Sequence, residues 1–314
     1  IGYLAANPDV ADMIRRTCVV YSVNGIAQEA ALACLQDDTG HIARTRALVR
    51  ESRAYLCEEL ARLKLPVIAN EGNYLIAKLP GSDTLAYRKL SIEKFLLTKL
   101  HVNRMPGRHI VQRNLDAVAP LGIRDDGAGM DYFITDADMV ANTDLPAGHA
   151  FGFIGIVIGA SYYTKKLPVQ HLQALCRKLD YPVILIGGKE DMAEGAAIAT
   201  ADPGKVYNAC GKFSLNQSAD LVRQAKLVMS HDTGLQYIAC AFNKPVLAVW
   251  GGTSPKLDVE PWYGLHRQEA GFTYKNFVVE NLSCQPCSNY GTKKCPKGHF
   301  RCMNQIDEEH IIAI

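Results

Sequence analysis

From Gly152 onward, short apolar runs rich in Val and Ile alternate with amphipathic helix patterns, and this rhythm constrains the fold more than any other feature. The runs are FGFIGIVIGA, YPVILIGG, KVYNACG, AKLVMSHD and KPVLAVWGG, and between them lie patterns such as LPVQHLQALCRKL and SLNQSADLVRQA. Continuous apolar strands cannot face water on either side, so strands of this kind alternating with helices predict a parallel sheet covered on both faces. With 48% hydrophobic and 21% charged residues, the chain has the apolar content for such a core.

The first 90 residues have a different rhythm. NGIAQEAALACLQ is rich in Ala, and TGHIARTRALVRESRAYLCEELARL places Ile42, Val49, Leu56 and Leu60 on one helical stripe. LPVIANEGNYLIAKLP then offers two short strands around a turn at Asn70-Glu71-Gly72. The expected division is a small α+β domain over 1–90, a helical linker over 91–150, its later part loose, and a nucleotide-binding α/β domain over 151–314. A helix is expected to run through the first boundary on a stripe of Leu85, Lys89, Ile92 and Phe95-Leu96.

Ligands of a doubly wound sheet sit beyond the carboxyl ends of its strands, near helix N-termini. Three segments fall there. In SHDTGLQYIACAF the amides of Thr233, Gly234 and Leu235 can hold a diphosphate, and Asp232 can accept sugar hydroxyls; a plain Asp-Thr helix cap is the alternative. In GASYYTKKLP, Lys165 and Lys166 precede a helix that Pro168 can begin, where a lysine can neutralise a phosphate leaving group; solvated decoration is the alternative. In LIGGKEDMAEGA, Gly187-Gly188 permits close backbone approach and Glu190 or Asp191 can bind ribose hydroxyls; acids drawn to a helix dipole are the alternative. Neither G-x-G-x-x-G nor the NTPase phosphate loop occurs.

These segments, with VYNACGKFSLNQSADLVRQAKLVMSHDTGLQYIACAFNKPVLAVWGGTSP and CQPCSNYGTKKCPKGHFRCMNQI, resemble glycosyltransferase family 9, the heptosyltransferase-like enzymes of lipopolysaccharide core assembly. The similarity reaches back through DYFI and HIVQRNLDAVAPLGI to about residue 91. It implies a GT-B fold whose C-terminal Rossmann-like domain binds the nucleotide-sugar donor. Lys165 is then expected at the diphosphate, Glu190 or Asp191 at the nucleoside, and Asp232-Thr233-Gly234 at the sugar and phosphates, with Lys166, Gly188 and Leu235 also among the donor-binding residues. Where the family pattern D-[ST]-G-x-x-H has His, this chain has Tyr237. The general base is expected in an N-terminal Gly-Asp loop that residues 1–90 do not match, so the expected activity is incomplete sugar transfer without a cofactor.

Residues 1–90 resemble a class I/II pyridoxal-phosphate aminotransferase of the histidinol-phosphate type, beginning just before the Gly2-Tyr3 pair. In that family the Schiff-base lysine precedes this pair, and Lys64, Lys78 and Lys89 lie in contexts without a phosphate site, so pyridoxal phosphate is not expected to bind. Asn24 is expected as a helix cap. A fragment of that enzyme, or an inactive chimera that only binds nucleotide sugar, is the alternative function.

Cys284-x2-Cys287-x7-Cys295-x6-Cys302, with His299 nearby, fits a structural zinc site; packing thiols or a labile disulfide is the other reading. The remaining six cysteines are scattered through apolar patterns, as expected in a reducing compartment. A net charge of +2 offers no nucleic-acid footprint. No apolar run approaches the roughly 20 residues of a membrane span, and IGYLAANPDV has no signal-peptide pattern and no initiator Met, as in a fragment. A cytoplasmic protein acting on a donor and a lipopolysaccharide-core acceptor is expected, with peripheral contact at the inner membrane through local basic patches.

Overall fold

A computed structural model describes residues 40–68, 76–77, 87–265 and 274–313. They fall into two units, divided between Thr84 and Leu85. The expected NGIAQEAALACLQ helix, Gly2-Tyr3, Asn24, Lys78, Leu85 and the Asn70-Glu71-Gly72 turn lie outside the described residues.

In the first unit, helix α1 spans His41–Arg62, and strands β1 (Val67–Ile68) and β2 (Ile76–Ala77) pair antiparallel. On the expected stripe Val49 and Leu60 are half-buried, whereas Ile42 and Leu56 are exposed.

In the second unit, helix α2 covers Ser91–Phe95 and continues as a π-helical turn over Leu96–Leu100. The helix expected to run through residue 90 is not continuous. Leu90 adopts φ 54°, ψ 43°, and the helix starts after it. Residues 87–90 are not helical; Leu90 and Leu97 are buried while Ile92 and Phe95 face outward. Helix α3 (Ile110–Val118) holds the preceding segment through Arg113, whose guanidinium donates to the Tyr87 hydroxyl at 2.9 Å.

The rest is built on a six-stranded, all-parallel sheet: β3 (Ile154–Val157), β4 (Val183–Ile186), β5 (Val206–Asn208), β6 (Leu227–His231), β7 (Val246–Val249) and β8 (Tyr274–Phe277), in spatial order β5-β4-β3-β6-β7-β8. Helices α4 (Val169–Lys178), α5 (Met192–Ala199), α6 (Leu215–Gln224) and α7 (Gly234–Ala241) connect its strands. Two core clusters divide the side chains of one strand by alternation. Val183 and Leu185 enter the cluster that contains Leu172 and Leu175, and Ile184 and Ile186 enter the one that contains Leu221 and Ile238. Pro168 is the cap residue of α4 rather than its first helical residue.

Residues 131–145, expected to be loose, are pinned to α6. The buried Asp220 carboxylate accepts from the Val140 amide at 2.9 Å and from Gln224 at 2.6 Å, and Tyr132 donates to Asn216 at 2.8 Å. Short helices α8 (Arg301–Asn304) and α9 (Glu308–Ile312) close the described chain. Among the described residues no helix is long and apolar enough to cross a membrane.

Candidate functional site

The strand order places a topological switch between β3 and β6, because the chain leaves β3 toward β4 on one side and reaches β6 on the other. A crevice must open there, beyond the strands' carboxyl ends. A cavity of about 720 Å³ occupies this position, lined by the loops after β3, β4 and β6 and by the start of α6. It gathers Lys165, Gly188, Glu190, Asp191, Asp232, Thr233, Gly234 and Leu235.

Asp232 directly follows β6 and Thr233 caps α7. The first amides of a helix have no intrahelical acceptor, so those of Gly234 and Leu235 are available to an anion. At Gly234 an added Cβ would meet nothing within 4 Å, so this first helical residue borders open space. Lys165 reaches the same point from the β3 side, with its Nζ 2.9 Å from Asp232 Oδ2. Both side chains are close to seven-eighths buried, which weakens solvent screening of the pair.

Lys166 turns the other way and does not line the cavity. It pairs with Asp191 at 2.6 Å and Glu194 at 2.7 Å. Burial alone lowers its pKa, but the hydrogen bonds to Asp191 and Glu194 outweigh burial and raise it. Asp191 is occupied as well: Oδ1 accepts from Lys166 and Oδ2 from the Gly188 amide at 2.9 Å. The two therefore brace the loop, and Glu190, exposed at the rim, is the carboxylate left facing the cavity. Gly159 is required beside them, because a Cβ there would come within 2.5 Å of Asp191 Oδ2.

Two further residues shape the site. His231 is 1% exposed, and its Nε2 accepts from the Leu167 amide at 2.9 Å, tying β6 to the lysine loop. Burial, with Lys166 and Lys165 adding to it, pushes its pKa down to about 3, so the ring is neutral. Tyr237 lines the cavity and donates to the Val259 carbonyl at 2.7 Å. Burial raises its pKa, and the nearby Asp232 adds to the rise. His109 stacks on Trp262 (centroids 4.7 Å apart) and meets Tyr237 edge-on. Sequence reasoning did not single out His231, nor Phe213, Leu215 and Ser218, which α6 and its approach add to the lining. The position of α6 directly after a strand was the available signal.

The cysteine segment forms one lobe. Cys284, Cys287, Cys295 and Cys302 are free thiols, and Cys284 Sγ lies 3.8 Å from His299 Nε2. Burial pushes Cys302 up to about 12, with the other three thiols adding to the rise. Among the described residues no three His, Cys, Asp or Glu side chains are grouped to hold a metal ion. Cys302 packs in the core with Phe300 and Met303.

A family model described as glycosyltransferase family 9 (heptosyltransferase) matches residues 76–292, and one described as aminotransferase class I and II matches residues 1–114. Lipooligosaccharide heptosyltransferase 2 of Haemophilus influenzae is 35% identical over 111 residues, 33% of this chain and 32% of that protein. Histidinol-phosphate aminotransferase of Anaeromyxobacter sp. is 38% identical over 81 residues, 26% of this chain and 22% of that protein. The glycosyl transferase family 9 structure from Veillonella parvula shares the fold at TM-score 0.50 and 18% identity, over 70% of this chain and 63% of that one. The chain thus spans about a third of the curated heptosyltransferases it matches and about a quarter of the aminotransferases.

Proposed function

Because the chain belongs to glycosyltransferase family 9, we propose that its second unit binds a nucleotide-sugar donor and serves transfer of a heptose or similar sugar to a lipopolysaccharide-core acceptor in the cytoplasm. The observation that carries this reading is the Lys165–Asp232 pair at the open N-terminus of α7, inside the switch-point cavity. The H. influenzae relative bears the name of such a transferase.

In this reading the donor diphosphate lies against the amides of Gly234 and Leu235, and Lys165 faces its charge. Glu190 accepts from ribose hydroxyls and Asp232 from sugar hydroxyls. The acceptor oxygen attacks the anomeric carbon from the face opposite the diphosphate, the carbon–oxygen bond to the phosphate breaks, and the electron pair leaves with the nucleoside diphosphate. Negative charge then grows on the leaving oxygen, where a fixed cation and helix amides stabilise it best. The acceptor's proton goes to a base that the family places in an N-terminal Gly-Asp loop, which residues 1–90 do not match. The transfer needs no cofactor.

Lys166 and Asp191 hold the loop without touching the donor, and Tyr237 supplies a neutral wall where the family pattern has a His. Thermal denaturation with ADP and ADP-heptose tests the reading. A ligand at about 100 times its Kd adds roughly 2.7 kcal/mol of stability, which raises the Tm by several degrees. An unchanged Tm with both nucleotides at millimolar concentration would refute it.

A further inference from the structure

The chain's formal net charge is only +2, yet its positive charge is unevenly placed. Between Glu280 and Asp307 there is no acidic residue, while Lys293, Lys294, Lys297 and Arg301 crowd into one short stretch. All four are exposed, and none takes part in an ion pair among the described residues. With no acid in this stretch of sequence and no ion-pair partner among the described residues, these cations keep their field for a partner.

The cluster stands on a rigid base. The Thr292 amide donates to Thr164 Oγ1 at 2.7 Å, and the Thr164 amide donates back to the Thr292 carbonyl at 3.1 Å. Gln285 reaches the carbonyls of Trp250 and Gly251, and Phe300, Cys302 and Met303 enter the core. The charges therefore project from a fixed lobe. At Gly298 (φ 75°) an added Cβ meets nothing within 4 Å, so this turn stands out into open space. A projecting cationic turn suits a broad anionic surface better than a small anion, which needs a concave site. Aromatic rings flank it: Tyr290 is 67% exposed, and Tyr163, stacked on Phe300, is 52% exposed. Tyrosines of this kind favour the headgroup layer of a bilayer. The lobe also adjoins the donor cavity, since Gly291 packs against Lys165 and Tyr162 so closely that a Cβ would come within 3 Å of either side chain.

We propose that the Lys293–Arg301 lobe docks on an anionic lipid surface and holds the mouth of the donor cavity beside it. This goes beyond the assignment of the donor site, and the two stand or fall separately. Each Lys or Arg close to such a surface strengthens partitioning roughly fivefold, and the effect fades over a Debye length of about 10 Å.

The test is co-sedimentation of the full chain with phosphatidylcholine vesicles and with vesicles containing one third phosphatidylglycerol. The wild type is expected to bind the anionic vesicles only, and to release at high salt. Lys293→Gln with Lys294→Gln should weaken that binding about twentyfold while leaving the ADP-induced Tm shift unchanged, which also shows that the variant is folded. Equal binding to both vesicle types, or undiminished binding by the double variant, overturns the proposal. Release by millimolar inorganic phosphate at constant ionic strength also overturns it, in favour of a phosphate-group site. A missing ADP shift in wild type that still binds vesicles counts against the donor site alone.

Discussion

Lys165 and Lys166 are neighbours with opposite tasks, and their partners decide which is which. Lys165 shares a poorly screened site with Asp232 alone, so an arriving diphosphate can compete for it. Lys166 already serves two carboxylates, and releasing it would leave Asp191, 2% exposed, with only the Gly188 amide. Lys165→Ala is therefore expected to weaken ADP binding at least tenfold, measured by calorimetry. It should cost only about 1–2 kcal/mol of stability, because the Asp232 it strands is near the open cavity. Lys166→Ala should do the reverse, with a larger loss in denaturant unfolding, roughly 2–4 kcal/mol, and a smaller effect on ADP. If the two variants lose ADP affinity equally, the division of roles is wrong. From sequence the lysines were indistinguishable, since what separates them is a carboxylate on the β4 loop and another on α5. Asp232, Glu190 and Gly188 were legible because each follows a strand whose apolar run is unmistakable. His231 was not: it reads as one more strand residue until the Leu167 amide is placed against it.

At the scale of elements, the loops after β3 and β4 meet with no spare room. Gly159 has no left-handed requirement; it matters because Asp191 fills the space a side chain would need. Gly159→Ala is expected to push the Asp191 carboxylate off the Gly188 amide, lowering the Tm and weakening ADP binding together. A silent Gly159→Ala would mean that the loop gives way more easily than the geometry implies. Ser214 offers a contrast at the cap of α6, where its Oγ accepts from the Gln217 amide at 3.2 Å and its own amide donates to Gln217 Oε1 at 2.9 Å. Ser214→Ala should cost about 1 kcal/mol in denaturant unfolding, as loss of a capping box does. Strands β3 to β7 could be read from their Val- and Ile-rich runs alone. Strand β8 could not, because YKNF buries only Phe277 and looks like polar loop. The hold of α6 on residues 131–145 was also invisible, since Asp220 and Val140 are eighty positions apart in the chain. The helix start after Leu90 was hidden for another reason: a left-handed non-glycine residue leaves no mark in the apolar pattern.

Across the whole chain, two family similarities overlap in residues 76–114, and the division into units at 84/85 lies inside that overlap. The second unit carries a global pH dependence through two buried rings. Burial pushes His109 down to about 4 and His231 to about 3. His109 donates from Nε2 to the Glu260 carbonyl at 2.8 Å and accepts at Nδ1 from the Val111 amide, a pattern suited to the neutral ring. His231 is likewise neutral while it accepts from the Leu167 amide. In the unfolded chain both imidazoles take up a proton near pH 6.5. Below that value the unfolded state binds more protons than the folded state, so stability is full above about pH 6.5 and declines as the pH falls toward 4 and then 3. The Tm is expected to drop on going from pH 7 to pH 4.5. Part of that drop belongs to His231, because His231→Gln keeps an acceptor for the Leu167 amide and removes the titrating group. The variant should be less stable than wild type at pH 7, where the imidazole packs best, and should lose roughly 5–10 °C less between pH 7 and 4.5. Parallel Tm curves for wild type and variant would show that His231 takes up its proton as readily in the folded protein as in the unfolded chain.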